Sequence, residues 1–224
     1  MQKTGVLIIH GFIGSPDEVS ILSEYLKRRG YSVSVPLLPG HGIAEISLSK
    51  AKAADWIESV KKAYLQLSAH CTSVFVVGFS MGGLLAAHLH NYEISGLVTV
   101  NTPIYYWNVK QMVVNLFSEY EKYAAKYLYS GKGKPLNAMI QFQKLLSATK
   151  PIFSELECSS LILQAMDDDT VLPRSSDFIL SKIKGEKRLV KVKTGGHQIF
   201  QSDAAKEVCQ MIESYIQELT EYIQ

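Results

Sequence analysis

Six short runs of apolar or β-branched residues punctuate this chain, at 5–10, 31–35, 73–78, 96–101, 160–165 and 188–193. Several are apolar on consecutive residues rather than alternate ones, the pattern of strands covered on both faces. Helical patterns lie between them. This alternation predicts an α/β fold: a mostly parallel sheet of about six strands with helices on both faces, joined by right-handed crossovers. With 224 residues, 47% of them hydrophobic, the chain has enough apolar material for a sizeable core.

The first helix carries its own punctuation. Ser15 stands as the cap, Pro16 in the first turn, Glu18 in the capping-box position three residues on, and Gly30 at the far end. Further helices are expected at 50–68, 81–91 and 174–184. In the last helix Val208, Ile212, Tyr215, Ile216 and Leu219 fall on one stripe that would dock on the sheet.

The stretch from Thr102 to about Glu157 breaks the alternation. Val109, Met112, Val113, Leu116, Phe117, Tyr120, Tyr123, Ala124 and Tyr127 follow helical spacing. After a Gly-Lys-Gly-Lys-Pro break at 131–135, Leu136, Met139, Ile140 and Leu145 suggest a second, shorter helix. So large an excursion, with an apolar stripe to bury, reads as an inserted helical cap. The expected division is a core of 1–103 and 158–224 and a cap of 104–157.

Charge narrows the classes of partner. The 23 Lys and Arg against 21 Asp and Glu leave a formal charge of +2, no footprint for nucleic acid or an acidic membrane. Lys182, Lys184, Lys187, Arg188, Lys191 and Lys193 do gather locally, but no aromatic residues interleave them to stack bases. They read as a solvated edge strand, where lysine blocks edge-to-edge pairing. Cys71, Cys158 and Cys209 are too few and too scattered for a disulfide framework or a metal pattern, and fit reduced thiols in a cytoplasmic protein. No apolar run is long enough for a signal-peptide core or a membrane span. Nothing in the sequence speaks to the oligomeric state.

Gly78-Phe79-Ser80-Met81-Gly82 follows the apolar run 74–77 and opens a helical pattern. A serine needs exposure and a base to act as a nucleophile, and a sharp strand-to-helix turn flanked by small residues supplies the exposure. The loop His10-Gly11-Phe12-Ile13-Gly14 follows the first strand, placing the Phe12 N–H, with the Met81 N–H, where a negative oxygen could be received. His10 reads as a brace of this loop. Three consecutive aspartates, Asp167, Asp168 and Asp169, follow the fifth strand. Their spacing from the strand end and the Val-x-Pro beyond favour Asp168 as the inward-facing acid, with Asp169 next.

His197, in Gly195-Gly196-His197, follows the sixth strand. In a parallel sheet these strand ends share one edge, so Ser80, Asp168 and His197 can converge. Of the other histidines, His70, His88 and His90 read as surface or packing residues and His41 as a structural hydrogen-bonding group.

These motifs, together with Pro39-Gly40-His41-Gly42, resemble the bacterial carboxylesterase and monoacylglycerol lipase branch of the α/β-hydrolases over nearly the whole chain. The resemblance implies Ser80 as nucleophile, Asp168 as acid and His197 as base, with Phe12 and Met81 donating to the oxyanion. The family's larger members carry a β-hairpin ahead of the oxyanion strand, on which this chain begins. The Tyr-rich insertion matches the family's cap in location only.

The function expected is that of a cofactor-free, metal-free serine carboxylesterase. It would hydrolyse a short- to medium-chain or monoacylglycerol-like ester through an acyl-enzyme on Ser80. Tyr105, Tyr106, Trp107, Met112, Leu116 and Phe117 would line an apolar pocket for the acyl or alcohol part. The alternatives are hydrolysis of a thioester, amide or carbon–carbon bond, which the same triad serves, or a non-catalytic relative binding a small ligand.

Overall fold

The computed structural model describes residues 3–41, 48–106 and 136–223. Its strands are β1 (Thr4–Ile9), β2 (Ser32–Ser34), β3 (Ser73–Phe79), β4 (Gly96–Val100), β5 (Ser160–Ala165) and β6 (Lys187–Val192). They form one sheet in the order β2-β1-β3-β4-β5-β6, parallel throughout. The helices are α1 (Ser20–Lys27), α2 (Ala53–Ser68), α3 (Met81–Ala87), α4 (Leu136–Ile152), α5 (Arg174–Lys182) and α6 (Ala205–Ile223).

The consecutive apolar residues of the central strands are divided between two faces, because side chains alternate along a strand. Leu7 and Ile9 of β1 and Val74 and Val76 of β3 join one core cluster with α2, α3 and α4. Val6, Ile8, Phe75 and Val77 join the other, against α1 and α6. In α6 the expected stripe is there: Val208, Ile212, Tyr215 and Ile216 are buried in that second cluster, and Leu219 packs against it. At the sheet's margin β6 is exposed at Lys187, Arg188 and Lys191, and Arg188 and Lys191 pair with Glu218 and Asp177, both at 3.0 Å. The basic cluster is a solvated edge, as its composition suggests.

The structure corrects several local expectations. Ser15 does cap, accepting the Asp17 N–H at 3.2 Å, but it opens a short 3-10 turn, Pro16–Val19, ahead of α1. Glu18 does not close a capping box with Ser15; its side chain turns inward and is buried. The third helix stops at Ala87 instead of 91.

The helix that begins at Leu136 is longer than its short apolar pattern implied, running to Ile152 with Pro151 inside it. Its buried face is Ala138, Phe142, Leu145 and Leu146, while Ile140 is 53% exposed. The helical spacing at 109–127 lies outside the described residues.

Phe75 is fully buried at the centre of the second cluster, edge-on to Tyr215 at 6.5 Å between ring centroids. Phe75→Ala leaves a cavity there and is expected to cost about 3–5 kcal/mol of stability. Denaturant unfolding should register this as a lower midpoint at an unchanged slope.

Candidate active site

Ser80 stands between β3 and α3 with φ 52° and ψ −123°, a backbone conformation that non-glycine residues adopt at a cost of about 1–3 kcal/mol. The neighbouring backbone enforces it. The Ser80 N–H donates to the Val100 carbonyl at 2.8 Å, and the Gly83 N–H returns to the Ser80 carbonyl at 3.0 Å. A Cβ on Gly82 would collide with the Ile9 carbonyl, and one on Gly78 with the Gly82 carbonyl. The two glycines therefore let strand and helix approach closely enough to hold the turn.

The side chains anticipated for the site meet. Ser80 Oγ lies 3.0 Å from His197 Nε2, and His197 Nδ1 lies 2.9 Å from Asp168 Oδ2. Asp168 is buried, and its Oδ1 accepts the N–H groups of Thr170 and Val171, each at 2.8 Å. Those bonds hold the carboxylate through the oxygen that the histidine does not use. The carboxylate accepts from Nδ1–H, which leaves the Nε2 lone pair facing the serine hydroxyl. Burial pushes the His197 imidazole toward the neutral form. The charge of Asp168 and its hydrogen bond oppose this, with help from Glu18 and Asp169, and the net pKa is raised above the ordinary histidine value.

The other aspartates take different tasks. Asp167 accepts the N–H groups of Gly195 and Gly196 at 3.2 and 2.9 Å, bracing the turn that carries His197. Asp169 is exposed and accepts the Thr170 hydroxyl at 3.0 Å. Across the site, the Phe12 N–H lies on the loop after β1 and the Met81 N–H opens α3, one of the amides a helix start leaves without an intrahelical partner.

His10 accepts the Leu38 N–H at Nε2 (3.2 Å), so its proton sits on Nδ1 and donates to the Gly11 carbonyl at 3.0 Å. Burial, then the neighbouring His41, push the His10 pKa down to about 3. His41 bonds the Pro39 carbonyl at 3.2 Å, and burial holds its pKa at about 4. Both are neutral braces. His88 bonds Thr149 at 2.9 Å and His90 pairs with Glu155 at 3.1 Å, away from the serine.

The expected pocket residues divide. Tyr106 is bridged to Val171 and presents its ring to Phe142 at 6.0 Å. Phe142 stacks on Phe12 at 4.9 Å, so Tyr106 does approach the loop that carries Phe12. Tyr105 instead packs on Phe178 (5.9 Å) and under Arg174 (4.6 Å), contacts that belong to the α5 side of the core. Trp107, Met112, Leu116 and Phe117 lie outside the described residues.

Beside His41, read from the sequence as a structural hydrogen-bonding group, several contributors had no clear sequence signal. Phe142, Trp56 and His41 surround Phe12. Asn101, fully buried at φ 48°, donates to the Gly196 and His197 carbonyls at 3.0 and 2.9 Å and accepts the Ala165 N–H at 2.8 Å. Its place as the last residue of the run 96–101 was the available hint, since asparagine tolerates the left-handed region. Among the described residues no group of three or more His, Cys, Asp or Glu could hold a metal ion, and no helix is long and apolar enough to cross a membrane.

Residues 5–112 match a family described as the alpha/beta hydrolase fold. A thermostable monoacylglycerol lipase of Bacillus sp. (strain H-257) is 30% identical over 206 residues, 86% of this chain and 82% of the lipase. The chain belongs to the α/β-hydrolase family. A carboxylesterase of Bacillus subtilis (strain 168) is 25% identical over 87% of the chain and 84% of that enzyme. Among solved structures, one of metagenome-derived lipolytic enzymes shares the α/β-hydrolase fold at a TM-score of 0.82 and 22% identity, covering 97% of this chain and 94% of the other.

The raised His197 pKa has a direct test. In an NMR titration the imidazole should titrate above the ordinary value of about 6.5. Asp168→Asn removes the main opposing charge, leaves burial unopposed by it, and should bring the midpoint down.

Proposed function

We propose that this α/β-hydrolase is a serine carboxylesterase that forms an acyl-enzyme on Ser80 and acts on short- to medium-chain or monoacylglycerol-like esters. Ester hydrolysis is the activity its named relatives have in common. The observation that carries the finer reading is the continuous hydrogen-bonded line from Asp168 through His197 to Ser80, at 2.9 and 3.0 Å.

In the proposed reaction Ser80 Oγ attacks the ester carbonyl carbon while its proton passes to His197 Nε2. The carbonyl oxygen becomes negative and is received by the Phe12 and Met81 N–H groups, whose preset orientation needs no rearrangement at that moment. Asp168 stabilises the imidazolium. The carbon–oxygen bond to the alcohol breaks, and the His197 proton leaves with the alcohol. Water then attacks the acyl group, giving a proton to His197. Collapse of that second intermediate returns the proton to Ser80 and frees the acid.

An apolar substrate is supported by the aromatic wall packed at the oxyanion loop, where Phe142 stacks on Phe12 and meets Tyr106, with Trp56 fully buried behind Phe12. We assign residues 104–157 to a cap over the core; within it, α4 brings Phe142 against Phe12.

A fluorophosphonate should label the wild-type protein and not Ser80→Ala, whose ester turnover should fall by at least about 10³-fold. Unchanged turnover in that variant would overturn the assignment. On a chain-length panel of chromogenic esters beside thioester and amide probes, Phe142→Ala should shift preference toward longer acyl chains by opening the wall. Activity on the amides alone would rule out the ester reading. Because His197 must be neutral to accept the serine proton and its pKa is raised, kcat/KM should fall with decreasing pH through a midpoint above about 6.5.

A further inference from the structure

Glu18 is a carboxylate in an expensive place. It sits in the 3-10 turn Pro16–Val19 at 4% exposure, and burying a carboxylate is unfavourable unless its oxygens are met by donors. Two loops meet them. Oε2 accepts the Gly11 N–H of the oxyanion loop at 3.0 Å, and Oε1 accepts the Gln198 Nε2–H at 3.1 Å, one residue beyond His197. Space is reserved for it as well. A Cβ on Gly14 would run into the Glu18 carboxyl, and a Cβ on Gly11 would stand 3.1 Å from Glu18 Oε2 and 3.4 Å from Ser80 Cβ. Gly11 therefore separates the carboxylate from the serine by a single backbone layer.

We propose that Glu18 is a positioning residue of the site, a buried clamp that joins the oxyanion loop to the histidine loop and places negative charge near His197. The inference rests on reading Ser80 and His197 as the catalytic pair. When the serine proton moves, His197 becomes positive. The acidic groups acting on it are Asp168 and Asp169 after β5 and Glu18 from the 3-10 turn, with Asp167 on the adjacent Gly195 and Gly196 amides. The nearest other face is the Phe79 ring, tilted at 5.5 Å, and His10 is neutral. Glu18 thus acts on both charges of the transition state: through Gly11 on the loop that receives the oxyanion, and through space on the imidazolium.

Two variants separate the two actions. In Glu18→Gln the hydrogen bonds can persist, because Gln198 Oε1 is buried without a hydrogen-bond partner among the described residues and can accept from the new amide after a rotation. That variant keeps the clamp and removes the charge. It should lower kcat only about threefold while the His197 titration, followed by NMR, and the acid limb of kcat/KM move down together by roughly half a pH unit. Glu18→Ala removes the clamp, and with a thermal melt showing it folded, kcat on a chromogenic ester should fall about ten- to a hundredfold with KM little changed.

An unmoved His197 titration in Glu18→Gln together with wild-type kcat in folded Glu18→Ala would overturn the proposal. If Glu18→Ala does not fold, the His197 midpoint in Glu18→Gln decides alone. A wild-type protein inert toward esters and fluorophosphonate would instead sink the esterase reading, and the NMR titration would still test the effect of Glu18 on His197.

Discussion

Parallel pairing across β1, β3, β4, β5 and β6 is the constraint on which the site depends. It brings the C-terminal ends of these strands to one edge, so the residues that follow them emerge side by side. The pairing continues past the strands: Ser80 N–H reaches the Val100 carbonyl, Asn101 N–H the Leu163 carbonyl at 3.0 Å, and Met166 N–H the Val192 carbonyl at 2.8 Å. The serine, the buried asparagine and the start of the aspartate turn are thus each tied to the neighbouring strand. A one-residue slip in any pair would exchange the two faces of a strand and offset its loop by more than 3 Å. With Val6 and Leu7 on opposite cores, each fully buried, such a slip has no acceptable packing. The apolar interior therefore sets the register, and the register places the polar groups.

Holding those groups requires buried polar contacts, which are favourable only when nearly complete. Asn101 shows how completeness is reached: its amide nitrogen serves two carbonyls, and its oxygen takes the Ala165 N–H and the Gln164 side chain at 3.3 Å. One residue at the end of β4 thereby fixes both the histidine loop and the strand leading to Asp168. Asp167 holds the same histidine loop from its other side through the two glycine amides. The loop carrying His197 is short of regular structure but held from several directions, so the 3.0 Å approach to Ser80 does not depend on the imidazole alone.

Much of the fold was legible because strands buried on both faces leave a signature, and all six appear within two residues of their expected ends. The turn at Ser80 was legible because small residues two before and two after a serine form a local pattern, although Gly82 owes its lack of a side chain to the Ile9 carbonyl on the neighbouring strand. Where partners are remote, local patterns misled. Ser15 and Glu18 have the spacing of a capping box whichever way the carboxylate turns, and its partners lie 7 and 180 residues away. Local spacing favoured Asp168 among the three aspartates, and its Oδ1 is indeed met by amides two and three residues on. The bracing task of Asp167 was not legible, because its glycine partners lie 28 and 29 residues on. Phe142 was not among the residues from which the helix after 135 was read, because its partner Phe12 lies on the remote β1 loop.

The histidines show how one fold pushes the same side chain in opposite directions. Burial alone favours the neutral imidazole, and at His10 and His41 nothing sufficient opposes it. Both stay uncharged over the pH range in which an ester would be hydrolysed, so each keeps a fixed tautomer and a fixed hydrogen bond. His197 is also desolvated, yet the carboxylates around it reverse the outcome. The difference cannot come from burial, which acts in the same direction on all three. It comes from where the acidic residues are placed, with Asp168 after β5 in contact and Glu18 after β1 at longer range. In the proposed reaction, serine and histidine at hydrogen-bonding distance are therefore only half of what proton transfer needs; the other half is the asymmetric charge that raises the pKa of one imidazole and leaves its neighbours neutral.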